Sequence, residues 1–382
     1  MRMYYVVNAR MPNHKAYGIQ LAKMCEAFVE KGVDLTLVIP KLLRTDAALK
    51  EFYDLRTDIR VVILPALDWY DRGRLRFFLS SLVFMISSFL YLMREKSHGR
   101  LDVIYTIDMD MFSFAFLPLI GAPLFSEIQD AKPRDFLHRY FFKRVSGIVG
   151  INSEVESHLV RDFGMRPEHV VAAQNAVEVR WLSLNIAQDD ARRRLSLPQE
   201  RQILVYTGRF YKWKGLDVLP AACEKMLEVE CYVVGGPKNE FIEASGVSDI
   251  PPNLHIMPGC ENGEVPYWLA AADVLVVMGT RKNEGAYRYR SPMKTYEYMA
   301  MRRPTVVSSA PALRAIVGPD EALFYEPDDA DDLARKVKEA LVGGTAIVGM
   351  VARAHERVQS WTWKDRAQKI LALITSSQKE QK

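Results

Sequence analysis

Short runs of apolar residues alternate with helix-period patterns along the whole chain. In the first half, strands are predicted at 4–7, 35–39, 61–64, 103–105 and 148–151. Most are apolar on successive residues rather than on alternate ones, the pattern of parallel strands covered on both faces. Between the first two, Leu21, Met24, Cys25 and Phe28 recur at helical spacing and define a helix that stops at Gly32. The second half restarts the pattern, with strands predicted at 203–206, 231–234, 254–257, 274–277, 305–307 and 323–325. Residues 177–200 lie between the halves, charged and rich in Arg, with no strand signal.

This patterning predicts an α/β protein of two doubly wound, Rossmann-like domains facing a cleft. The expected division is 1–178 for the first domain, 179–200 for the crossover and 201–360 for the second. A terminal segment, 361–382, would return to the first domain, with its helix starting near Trp361 and docked by Trp361, Trp363 and Arg366. Residues 376–382 read as a polar, frayed end. Neither a solenoid repeat nor a low-complexity tract is visible.

Composition adds limits. The 382 residues are 49% hydrophobic and 26% charged, ordinary for a globular protein with a large core. Cys25, Cys223, Cys231 and Cys260 are scattered and form no C-x-x-C pair, so neither a disulfide framework nor a zinc site is expected. The first residues, MRMYYVVNARMP, lack the apolar core of a signal peptide, which fits a cytoplasmic protein. A net charge of +4 is too mild to call for a nucleic-acid partner, and none is expected.

Two segments carry candidate chemistry. The first is Ser291-Pro292-Met293-Lys294-Thr295-Tyr296-Glu297-Tyr298-Met299-Ala300. Ser291 reads as an N-cap and Pro292 as the first helical residue. Lys294 then falls in the first turn, where the helix dipole disfavours a cation. An anion held jointly by the lysine and the helical N–H groups would offset that conflict. Glu297 follows one turn later, where an ionised carboxylate would accept two ribose hydroxyls. The second segment runs from Val205 to Gly215. A strand ends, Gly208 permits a tight turn, and Arg209 and Lys214 bracket an aromatic loop, well placed to hold a diphosphate. The plain alternatives are a solvated basic turn and a surface Lys–Glu pair.

Together these segments resemble glycosyltransferase family 4, retaining nucleotide-sugar transferases of the two-domain GT-B fold. The resemblance also runs through Lys15-Ala16-Tyr17-Gly18-Ile19-Gln20, Glu127-Ile128-Gln129-Asp130, Gln174-Asn175-Ala176-Val177-Glu178, and Ala271-Ala272-Asp273-Val274-Leu275-Val276. It implies that Arg209 and Lys214 grip the donor diphosphate and act in catalysis. Glu297 would bind the ribose. Gly208 and the backbone of Ser291, Pro292, Met293 and Lys294 would line the donor site. Gly18 would let the backbone come close to donor or acceptor. Tyr17, Glu127, Gln129, Asp130, Glu284 and Tyr289 are candidate sugar or acceptor contacts. The donor would be a UDP- or GDP-linked hexose-type sugar, a co-substrate rather than a cofactor, and the acceptor a hydroxyl of a glycan or lipid-linked molecule.

Two positions depart from the family pattern. The family often has a second glutamate eight residues before the ribose-binding one, where this chain has Tyr289; Glu284 is nearby at a different spacing. It often has a histidine where Gln129 stands, and glutamine cannot titrate. Two rivals follow: a nucleotide-sugar epimerase on the same fold, and a non-catalytic nucleotide-sugar or glycan-binding protein. Asp108-Met109-Asp110 suggests a metal pair in another transferase fold, but it follows a first-half strand and reads here as loop or cap aspartates, so no metal is expected.

One stretch stays open. Residues 77–93 are uncharged, shorter than the ~20 needed to span a bilayer, and carry Ser80, Ser81, Ser87 and Ser88 on a seven-residue repeat. Arg72, Arg74 and Arg76 precede them; Arg94, Lys96 and Arg100 follow. The helix is expected either to be buried against the first sheet or to meet a membrane surface through 72–100, placing the protein peripherally on the inner face.

Overall fold

The computed structural model describes every residue except 14, 42–48, 71–72, 109 and 381–382. Arg72 and Met109, and the end of the polar tail, therefore lie outside the described residues. The chain divides into two compact units, 1–174 with 363–382, and 175–362.

Among the described residues, the first unit holds seven parallel strands: β1 (Arg2–Val6), β2 (Asp34–Pro40), β3 (Arg60–Leu64), β4 (Val103–Ile107), β5 (Leu124–Ile128), β6 (Gly147–Gly150) and β7 (Val170–Ala172). Their order in the sheet is β3-β2-β1-β4-β5-β6-β7. The second unit holds β8 (Gln202–Thr207), β9 (Val229–Val234), β10 (Leu254–Met257), β11 (Val274–Val277), β12 (Thr305–Ser308) and β13 (Leu323–Tyr325), ordered β10-β9-β8-β11-β12-β13. Both orders reverse direction beside their first strand, which makes β1 and β8 the switch strands of two Rossmann-like sheets.

Burial explains the continuous apolar runs. In the second unit Ile203, Val205, Leu275, Val277 and Val307 join one core. Their neighbours Leu204, Tyr206, Val274, Val276 and Val306 join another. Successive residues point to opposite faces, so a strand covered on both sides is apolar at every position. In the first unit, Leu21, Met24, Cys25 and Phe28 are all fully buried on the helix Ala16–Glu30.

Three expectations change. Residues 175–200 are part of the second unit rather than a separate crossover. The helix Gln188–Arg194 is tied to it by Arg192, which donates to Ala271 O at 3.0 Å and pairs with Asp273 at 2.7 Å. The final helix starts at Trp363, two residues past Trp361. Trp361 remains in the second unit, edge-on to Tyr296 at 5.6 Å. Arg366 does anchor the helix, donating to Ala173 O and Gln174 O and pairing with Glu127 at 2.7 Å. Finally, β5 and β7 were not predicted: Ser126 and Glu127 interrupt the apolar run of β5, and β7 spans three residues.

Candidate functional site

The site begins where β8 ends. Tyr298 OH meets Thr207 N–H at 2.8 Å, tying the end of the strand to the helix Met293–Ala300. Gly208 follows at φ +124°, a conformation open to glycine. A side chain there would meet Lys294 Nζ at 3.0 Å and Lys214 Nζ at 3.6 Å. The absence of a Cβ thus lets two ammonium groups close over one backbone turn. Gly235, after β9, is packed tighter still, since a Cβ on it would lie 2.2 Å from Gly208 O.

Lys214 ends a short 3-10 turn, Lys212–Lys214, and donates to Arg209 O at 2.6 Å. Gly215 closes that turn at φ +71°. Tyr211 and Trp213 stack at 5.4 Å, and Lys214 Nζ lies 5.2 and 5.4 Å from their ring centres. Arg290 lies over the Trp213 ring at 4.6 Å. Although Lys214 keeps some exposed surface, close packing and the like charges of Arg290 and Arg209 push its pKa down to about 7. Lys294 sits 3.5 Å from the centre of the Tyr206 ring. Burial and the charge of Lys214 hold it well below the usual lysine range, against an opposing pull from Glu297.

The helix Met293–Ala300 starts one residue later than expected. Pro292 is its N-cap, and no side chain caps it. Ser291 is not the cap because its hydroxyl pairs with Tyr296 OH at 2.8 Å, while its carbonyl accepts from Asn175 Nδ2 at 2.6 Å. These bonds hold the chain extended into Pro292. Lys294 remains in the first turn, whose leading N–H groups have no intrahelical acceptor. Glu297, one turn on, has its pKa raised to about 7, chiefly by burial, with Lys294 opposing and Glu178 adding.

Residues 201–342 match the family Glycosyl transferases group 1. The matched stretch lies within the second unit. The chain is 22% identical over 246 residues to D-inositol 3-phosphate glycosyltransferase 1 of Catenulispora acidiphila, covering 60% of this chain and 57% of that protein. It thus spans little more than half of that relative's length. Among solved structures, a glycosyltransferase from Rickettsia africae superposes with TM-score 0.77 at 14% identity, over 99% of this chain and 98% of the other. Anabaena Alr3699/HepE, solved in complex with UDP, gives TM-score 0.74 at 14% identity over 98% and 100%. At such identities these likenesses show the fold: two Rossmann-like domains of the GT-B class.

Gly208, Arg209, Lys214 and Lys294 thus meet at the end of β8, and Tyr298 ties to the same strand end the helix that begins after Ser291 and Pro292 and carries Met293, Lys294 and Glu297. Tyr289 follows the helix Glu284–Arg288, and Glu284 is exposed and paired with Arg288 at 2.6 Å, turned to its own helix. Arg290 was not anticipated. Its only signal in the sequence is a basic residue directly before Ser291, and the stack on Trp213 that gives it a place is tertiary. Tyr206 was read only as strand, since nothing local reveals a lysine above its ring.

The first-unit candidates fare differently. Glu127 is fully buried: Arg366 pairs with both its oxygens, Gln20 donates at 2.7 Å and Tyr105 at 3.0 Å. Gln129 donates to the same carboxylate. Glu127 is thus a structural anchor rather than a sugar contact, because its acceptor capacity is spent inside the fold. Gly18 is packed within the first unit. A Cβ there would lie 2.6 Å from Tyr53 OH and 2.8 Å from the Asn13 side chain, so the close approach is by the chain itself. Tyr17 is half-buried, with Lys15 Nζ 5.9 Å from its ring centre. Asp130 accepts from Ala131 N–H at 2.9 Å. Asp108 pairs with Lys132, and Asp110 caps the turn Met111–Phe114 while accepting from Asn8 at 2.8 Å.

Proposed function

We propose that this protein transfers a hexose-type sugar from a UDP- or GDP-linked donor to a hydroxyl of a glycan or lipid-linked acceptor, with retention and without a metal ion. The observation that carries this is the pair of ammonium groups over Gly208, beside the helix start that leads to Glu297. Two lysines held close together, with their charges disfavoured by burial, make a site where a bound anion would restore both charges. A diphosphate fits that requirement, and Glu297 stands one helical turn away to accept the ribose hydroxyls. The UDP-bound state of the Anabaena neighbour supports a nucleotide donor.

In this account the bond from the anomeric carbon to the diphosphate oxygen breaks, and the diphosphate keeps the electron pair. Arg209, Lys214, Lys294 and the helix N–H groups stabilise the added negative charge as it develops. The acceptor oxygen bonds to the anomeric carbon on the face the diphosphate leaves, and its proton passes to the departing phosphate oxygen. No group on this chain need act as the base, which agrees with a glutamine at position 129. The aspartates of 108–110 are already engaged with Lys132, Asn8 and Ser113. A cytoplasmic location, peripheral at the inner face of the membrane, follows from a lipid-linked acceptor and the surface of 73–100.

The test is donor consumption with UDP- and GDP-sugars, with and without acceptor extracts. Turnover that requires acceptor supports transfer. Donor conversion without acceptor indicates an epimerase, and binding without consumption a non-catalytic protein.

A further inference from the structure

The helix Arg74–Ser97 is inverted relative to an ordinary surface helix. Its serines face inward: Ser80, Ser81 and Ser88 are fully buried, and Ser87 Oγ donates to Pro65 O at 2.9 Å. A stripe of its large apolar side chains faces outward. Leu75 is 73% exposed and Leu90 61%, with Phe78, Ile86 and Met93 on the same stripe at steps of three, eight, four and three residues. The adjoining turn Leu117–Ile120 carries a further exposed leucine, Leu119 at 58%. A patch of this extent marks an interaction site rather than scattered surface leucines.

Charge selects the occupant. No acidic residue occurs between 73 and 94. Exposed Arg74 and Arg76 stand at one end of the helix, and Arg94 and Lys96 at the other. Glu95, the first acid, is buried and paired with Arg100 at 2.8 Å. An apolar stripe between basic ends matches a bilayer carrying anionic headgroups. The helix is long and apolar enough to cross a membrane. Its inner face, however, is built into the first unit through Phe84, Met85 and Leu92. Spanning would expose that polar, packed face to lipid; lying flat would not.

The patch also adjoins the carboxyl edge of the first sheet. Ser81 Oγ donates to Asp110 at 3.1 Å, and Phe78 packs on Phe112 at 4.2 Å. Phe77 meets Tyr70 edge-on at 5.5 Å, and Tyr70 OH donates to Asn8 Oδ1 at 2.7 Å. Asn8 and Asp110 follow β1 and β4, at the switch point where such sheets take ligands. We propose that Arg74–Ser97 lies in the plane of an anionic bilayer with this apolar stripe inserted, and that the first unit takes a lipid-linked acceptor from that bilayer at the ends of β1 and β4. The acceptor part rests on the transfer reading above; the docking does not.

Flotation with phosphatidylglycerol–phosphatidylcholine vesicles, compared with pure phosphatidylcholine, tests the docking without donor or turnover. The full chain should float with the anionic vesicles and less with the neutral ones. Leu75→Glu combined with Leu90→Glu, both at exposed positions, should lower binding at least about tenfold with unchanged circular dichroism. Val342→Glu, 87% exposed on the second unit, should float like the unaltered protein. A chain that stays unbound, or a double variant that still floats, overturns the proposal. So does a solution dimer that Leu90→Glu dissociates, which would assign the face to a second copy. Docking with transfer only to soluble glycans would leave the membrane surface standing and overturn the lipid-linked acceptor.

Discussion

Lys214 and Lys294 meet over a glycine, and both hold their protons weakly: Lys214 through burial and the charges of Arg290 and Arg209, Lys294 through burial and the charge of Lys214. With a pKa near 7, Lys214 loses its charge as the pH rises through neutrality. A bound diphosphate favours the charged ammonium and raises that pKa again. Binding at pH 8 therefore takes up protons, and affinity falls by up to about tenfold per pH unit for each lysine so affected. Glu297, also near 7, is mostly ionised by pH 8, so the proton it releases on binding ribose is small there and does not reverse the sign. Calorimetric titration with UDP or GDP in two buffers of different ionisation enthalpy measures the uptake directly. Removing either clamp residue should also be severe. Hydrogen bonds to charged groups contribute about 1.5–3 kcal/mol, so Arg209→Ala or Lys214→Ala should lower turnover by about one to two decades or more, with the melting temperature unchanged. Near-normal turnover in either would remove it from the clamp.

At the scale of elements, the turn after β8 depends on backbone touching backbone. Gly235→Ala would drive a methyl into Gly208 O, 2.2 Å away, and neither backbone segment can yield without moving its strand. The expected loss is about 1–3 kcal/mol of stability together with weakened nucleotide binding, read by thermal unfolding with and without UDP. This contact was not legible in the sequence, where Gly235 is one of two adjacent glycines after a strand. The helix 293–300 was legible in position and type, from its Lys and Glu one turn apart. Its cap was not: Ser291 has the right chemistry for an N-cap, and only the tertiary partners Tyr296 and Asn175 divert it. The inverted helix Arg74–Ser97 shows the same limit. The serine stripe was plain in the sequence, but which face it turned to the core depended on the polar partners Pro65 O and Asp110.

At the scale of the whole chain, both sheets were legible because doubly covered strands are apolar throughout, and strands such as 254–257 and 274–277 fall where the pattern put them. The unit boundary was less so. The chain leaves the first unit at Gln174 and re-enters at Trp363, points fixed by Arg366, which holds Ala173 O, Gln174 O and Glu127 together. Glu127 looked like a site residue because its segment resembles a functional one, and its burial comes from a helix more than two hundred residues away. Glu127→Gln leaves the Arg366 charge unpaired in the core, and breaking such a pair costs about 3–5 kcal/mol. Urea unfolding of this variant should show the first unit melting early while UDP still binds.

The central claim is that a nucleoside diphosphate binds at the end of β8, held by Lys214. Titrating UDP and GDP into the unaltered chain and into Lys214→Ala tests it most directly. One of the two nucleotides should bind the unaltered chain, and the variant should lose that binding while unfolding at the same temperature. Equal binding by both chains, or no binding of either nucleotide to the unaltered one, would contradict it.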